Sequence, residues 1–185
     1  MMTAVKRNVG AELDIDVTTP TPLEFQIAVA PHPGAEVSES LSFVLDGAPV
    51  PAREVIGKHG TRIHKVEVPA GNLKVSYAAS IVGRTSPAQV EEFDLSMYLR
   101  PSRYSESDKF RGFALGEFGQ FADSATLLEN VSSWVGTRLE YMAGSSDPID
   151  GAVETLLSGR GVCRDYVHLV VALLRAVNVP ARLVA

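Results

Sequence analysis

The chain has 185 residues, 45% of them hydrophobic and 21% charged, with a formal net charge of −5. That length and apolar content suit one or two small domains with real cores, and the acidic balance excludes the clustered basic face of a nucleic-acid binder. The longest apolar run, Leu169 to Leu174, is far too short for a membrane span.

The opening stretch MMTAVKRNVG lacks the apolar core of an export signal. Beyond it the first half reads as β structure. Residues 23–30 (LEFQIAVA), 40–47 (SLSFVLDG), 61–71 (TRIHKVEVPAG) and 73–83 (LKVSYAASIVG) are short runs rich in Val, Ile, Phe and Tyr. Turn pairs such as Pro33-Gly34, Asp46-Gly47 and Gly71-Asn72 separate them. His64, Val66 and Val68 alternate with Ile63, Lys65 and Glu67, and Leu73, Val75 and Tyr77 continue the period of two. Several short strands at this spacing predict an antiparallel sandwich or open barrel.

The pattern breaks at YLRPSRYSESDKF (98–110), where Pro101 and the serines interrupt it. This sets the expected boundary: a β-sandwich domain over 1–97 and a helical portion over 98–185. In FADSATLLENVSSWVGTRLEYMAG, Leu128, Val131, Val135, Leu139 and Met142 recur at the 3-4 spacing of one helix face. Asp123 or Ser124 offers an N-cap and Gly144 a stop. Trp134 reads as a residue of this helical core. DPIDGAVETLLSGRG predicts a shorter helix, capped by Asp147 with Pro148 in its first turn and buried through Val153, Leu156 and Leu157. A third helix runs from Cys163 to Val177, because Asn178-Val179-Pro180 cannot continue it. It is apolar nearly all round, the mark of a helix inside a domain.

Cys163 is the only cysteine. It cannot close an internal disulfide, a four-cysteine zinc site is impossible, and the simplest home for it is a reducing cytoplasm. It stands at a helix start, where unpaired amide N–H groups favour an anion and could also steady an oxyanion on an attacked carbonyl. Gly159 and Gly161 let the backbone turn sharply before it. Two readings stay open on these residues: a working nucleophile, or a small buried side chain that happens to contain sulfur.

A nucleophile needs a base within hydrogen-bonding reach. His168 fails that requirement, since five residues along a helix turn through about 500° and leave the imidazole about 140° around the axis from the sulfur. It fits a polar seam with Arg164, or the role of a satisfied core histidine. His32, His59 and His64 fall in the β half, and the five-residue step from His59 to His64 puts them on opposite strand faces, against a shared metal. No metal and no cofactor is expected.

GRGVCRDYVHLVVALLRAVNVPAR (159–182) resembles the cysteine segment of the bacterial transglutaminase-like superfamily, whose core is papain-like. YLRPSRYSESD and WVGTRLEY resemble the segments that precede it, and the β half is similar to the domain often found before such cores. The resemblance implies an α+β fold: an N-terminal antiparallel β-sandwich followed by the helical part of an incomplete core. It implies that Cys163 is the nucleophile, acting through a thioester on peptide or carboxamide bonds, with a His and an Asp from strands that follow the cysteine helix. Those two have no counterpart before Ala185, where PARLVA reads as the start of the first core strand. The chain is therefore expected to be part of a longer hydrolase or acyl transferase, one that takes a protein or peptide substrate and is inactive as it stands. A non-catalytic protein-binding module and a pseudoenzyme are the alternatives. A bare apolar face on the Cys163 helix would favour a homodimer.

Overall fold

Period-two alternation builds the first half into strands. The computed structural model describes residues 5–86, 89–121 and 123–184; the first four residues, including the start of the stretch read for an export signal, lie outside them. Seven strands come first: β1 (Lys6–Val17), β2 (Thr21–Phe25), β3 (Ala35–Leu45), β4 (Ala48–Pro49), β5 (Arg53–Ile56), β6 (Arg62–Val68) and β7 (Gly71–Gly83). They pair antiparallel in two sheets, ordered β1-β7-β3-β4 and β2-β6-β5.

The buried sides are those the alternation predicts. In β6, His64, Val66 and Val68 are buried, and in β7 Leu73, Val75, Tyr77, Ala79 and Ile81. Phe25 of one sheet meets Phe43 of the other with ring centroids 5.2 Å apart. Together with Val66, Val68, Leu73 and Val75 they form one core between the sheets. This is an antiparallel sandwich.

Three strands go beyond the sequence reading. β4 is only two residues long and β5 only four. β1 is half polar, yet Val9, Ala11, Leu13, Ile15 and Val17 alternate along it and carried the signal. The expected strand at 23–30 ends at Phe25, and His59 lies in a 3₁₀ turn (Lys58–Gly60) rather than in a strand.

The chain divides into two compact units between Gln89 and Val90. The boundary therefore falls before residue 97, because a short helix, α1 (Glu92–Met97), belongs with the second unit. There follow α2 (Ser107–Phe118), α3 (Ser124–Arg138), β8 (Glu140–Tyr141), α4 (Ala152–Ser158), β9 (Arg160–Gly161) and α5 (Cys163–Ala176). Sequence reading missed α2. Phe110, Ala114 and Phe118 repeat at helical spacing and are buried, but Gly112 and Gly116 between them weaken the pattern.

Of the two candidate caps, Asp123 caps α3, accepting the Thr126 N–H at 2.8 Å, and Ser124 is the first helical residue. The buried face is Leu127, Val131 and Val135, with Leu139 just beyond; Leu128 and Met142 are exposed. The helix ends at Arg138, well before Gly144, because residues 140–141 leave it to pair as a strand. The next helix also differs from expectation. Asp147 closes a turn with Asp150 instead of capping, α4 starts after Gly151, and Leu157 is exposed while Ala152 and Thr155 are buried. Leu169, Ala172, Leu173 and Leu174 of α5 pack with the buried faces of α2, α3 and α4 into one core, and Trp134 packs against it. Among the described residues no helix is long and apolar enough to cross a membrane.

Candidate active site

Cys163 is the first residue of α5 and is exposed, so the reading of a buried structural thiol does not hold. Two glycines deliver it. Gly159 ends α4 in the left-handed conformation, φ 67°, which costs a glycine nothing. Gly161 is needed for room, since a Cβ there would lie 2.7 Å from the Cβ of Asp165 and 2.9 Å from its Oδ2. Between them β9 runs parallel to β8, and the Glu140 and Met142 N–H groups donate to the Gly159 and Gly161 carbonyls at 2.9 and 3.1 Å. The turn before the thiol is thus fastened to the segment that follows α3.

The helix start is fixed by Asp165, which is fully buried. Its Oδ2 accepts the N–H of Val162, the N-cap residue, at 2.8 Å. Its Oδ1 accepts the Ser146 hydroxyl at 2.9 Å and lies 3.5 Å from Arg164 Nε. Arg164 Nη2 in turn donates to Ser146 Oγ at 2.6 Å and to the Asp147 carbonyl at 2.8 Å. At the residue after Asp165, the Tyr166 hydroxyl donates to the Leu139 carbonyl at 2.8 Å. In the sequence, Asp165 is a carboxylate in the first turn, where it suits the positive end of the helix dipole. Sequence reading missed Ser146 and Tyr166, which carry no local pattern. The spacing of Asp165 from Val162, three residues, is that of the acidic half of a capping box and could have revealed its role.

α5 runs unbroken past His168, so the angular separation from Cys163 stands. The imidazole stacks on Tyr104, centroids 5.3 Å apart and planes within 8°. Its Nδ1 is buried without a hydrogen-bond partner, which corrects the expectation of a satisfied core histidine. Burial pushes its pKa below the ordinary histidine value, and the nearby Arg164 charge adds to this against smaller opposite effects of Asp165 and Glu106. An imidazole stacked on Tyr104 and about 140° around the helix axis from the sulfur is not the base. The other three histidines belong to the first unit. Among the described residues no cluster of His, Cys, Asp and Glu could hold a metal ion.

Two expectations about the surroundings change. No large apolar residue of α5 is exposed, Val167 and Val170 being half-buried; the exposed ones of this unit include Tyr141, Ile149 and Leu157. The first core strand expected at PARLVA is not formed over residues 181–184. That segment is held instead by the Ala181 N–H donating to the Tyr98 carbonyl at 3.1 Å and by the Arg175 guanidinium on the Ala181 carbonyl at 2.6 and 2.8 Å. Residue 185 lies outside the described residues.

Comparison with known proteins agrees with this arrangement. Residues 119–185, which hold α3, α4 and α5, match the transglutaminase-like superfamily. An uncharacterized protein of Mycobacterium leprae is 27% identical over 101 residues, 54% of this chain and 35% of that protein. A crystal structure from Cytophaga hutchinsonii, named "putative cysteine protease", is similar to 96% of this chain at 27% identity and a TM-score of 0.82. The match covers 65% of that chain, so these 185 residues span about a third of the curated relative and under two thirds of the solved one. The exposed Cys163 at the head of a core helix, the matching segment around it and the shared fold agree: residues 119–185 form a transglutaminase-like segment, on a chain that is similar over nearly its whole length to that solved structure.

Proposed function

We propose that Cys163 is the nucleophile of a thiol acyl transferase or hydrolase acting on a peptide or carboxamide. The observation that carries this reading is an exposed thiol on the first turn of a helix whose far half is buried in the core. The thiolate attacks the carbonyl carbon, the C–N bond breaks and the amine leaves with a proton. Water or a second amine then attacks the thioester and returns the thiol. First-turn N–H groups have no carbonyl one turn back within the helix and can receive the developing oxyanion. The base and its orienting carboxylate are supplied, in this proposal, by polypeptide outside these 185 residues. The superfamily resemblance and the partial coverage of the solved relative support that division. A single unpaired cysteine suits work in a reducing compartment such as the cytoplasm.

An activated ester tests the nucleophile apart from the base, because nitrophenolate leaves without a proton. Treatment with 4-nitrophenyl acetate should place one acetyl group on Cys163, located by peptide mass mapping, and Cys163→Ala should lose it. Absence of acylation at Cys163 would refute the proposal. General acid–base help is worth about 10²–10⁴-fold. Carboxamide turnover should therefore be undetectable with the 185-residue chain and appear in a longer polypeptide that extends past residue 185.

A further inference from the structure

The open edge of the larger sheet is self-complementary. Among the described residues no strand lies beyond β1. The Gly83 N–H donates to the Val5 carbonyl at 3.0 Å, and that pair continues the register from Lys6↔Val82 to Val17↔Gly71. Bonded pairs alternate along an antiparallel ladder, so the odd-numbered residues of β1 spend their backbone groups on β7. Lys6, Asn8, Gly10, Glu12, Asp14 and Asp16 turn their N–H and C=O groups to the open edge.

Side chains divide by the same parity. The odd residues share the face that packs on the second sheet. Ala11, Ile15 and Val17 are partly covered there, but Val9 and Leu13 are left 45% and 38% exposed. On the opposite face the strand is basic at its start, Lys6, and acidic at its end, Glu12, Asp14 and Asp16. Asn72 holds both Asp14 and Asp16 through its Nδ2, at 2.6 and 3.0 Å, and Lys74 lies 4.0 Å from Asp14. Glu12 accepts the Ser76 hydroxyl. A twelve-residue edge without proline or a bulge is a ready template for another strand.

We propose that β1 pairs antiparallel with β1 of a second copy of this chain, about a two-fold axis at Ala11, making one continuous eight-stranded sheet from two four-stranded ones. Open-edge residues must meet open-edge residues, which leaves few registers. Centring on residue 12 sets Glu12 against Glu12, and centring on residue 10 separates the two exposed apolar residues, setting Leu13 against Arg7 and Val9 against Ala11. Centring on residue 11 sets Lys6 against Asp16, Asn8 against Asp14 and the exposed Val9 against the exposed Leu13, with Arg7 opposite the partly covered Ile15. A parallel pairing would stack like charge on like charge. Opposite charges and apolar pairs directly across a sheet are stabilising, and this register supplies both twice by symmetry.

Sedimentation equilibrium of the 185-residue chain should show a dimer. Lys6→Asp should weaken it at least about tenfold, and Lys6→Asp combined with Asp16→Lys should restore it, since the swapped pairs again attract. Asn8→Pro removes an N–H that β7 does not use, so it should give a folded monomer with an unchanged circular dichroism spectrum. In a Cys163→Ser background, Ala11→Cys should crosslink to its copy on mild oxidation. A monomer throughout the concentration series overturns the proposal. So does a dimer indifferent to Lys6→Asp, a charge swap that fails to rescue, or an Ala11→Cys chain that does not crosslink.

Discussion

Asp165 reaches back past Cys163 to accept the N–H of Val162 at 2.8 Å, so the residue before the thiol and the residue two after it are tied together. The carboxylate is buried, and its other oxygen holds Ser146. Asp165→Ala leaves a backbone donor and a hydroxyl without their acceptor, at a cost of about 2–3 kcal/mol. Trp134 is the only tryptophan and lies in the second unit, so urea unfolding followed by its fluorescence reads this unit alone. Ser146→Ala should cost about 1 kcal/mol in the same assay. Acetylation of Cys163 by the activated ester should slow in Asp165→Ala.

The glycines are expected to respond in opposite directions. Gly161→Ala drives a methyl into Asp165 and should lose about 1–3 kcal/mol. Gly159→Ala should lose about 1–2 kcal/mol from its left-handed backbone. Gly136→Ala, in the last turn of α3 with nothing within 4 Å of the new methyl, should gain about 0.5 kcal/mol. Trp134 fluorescence again provides the measurement.

His168 should make the second unit sensitive to mild acid. Its folded pKa is depressed, so the unfolded chain takes up the proton first. Stability is complete above the unfolded histidine value of about 6.5 and is lost as pH falls from there through the folded value. His168→Phe keeps the stack on Tyr104, removes the unpartnered Nδ1 and should flatten this slope. Acetylation of Cys163 should persist in the variant; its loss would show that His168 serves the thiol after all.

In the first unit, Tyr77 accepts the Val29 N–H at 2.9 Å and donates to Glu39 at 2.7 Å. Burial raises the Glu39 pKa, but the Tyr77 hydroxyl and the Arg62 guanidinium outweigh it, so the carboxyl titrates below its ordinary value. Tyr77→Phe should cost about 1–3 kcal/mol. Glu39 contributes stability above its unfolded pKa of 4.5, lost as pH falls through the folded value. That acid-side loss should be shallower in Tyr77→Phe, read by far-ultraviolet circular dichroism.

The sequence by itself determined what depends on neighbours along the chain. Alternation in 61–83 gave the buried faces of two strands, Asp123 announced a helix start, and Asn178-Pro180 stopped the cysteine helix one residue from where it ends. Chain order put Cys163 at a helix head and His168 out of its reach, both consequences of helical pitch. What it could not give are relations between segments. β1 has its alternation but becomes a strand by pairing with β7, over fifty residues away. α3 stops at Arg138 because Glu140 and Tyr141 bond to the turn before the thiol. Leu128 and Leu157 look like core in a periodic run, but which side of a helix is buried depends on what packs there. The support beneath Cys163 is of this kind. Ser146 meets Asp165, and Tyr166 meets Leu139, only after four helices have closed on one core, because a hydrogen bond fixes two atoms in space and leaves no spacing rule in the chain.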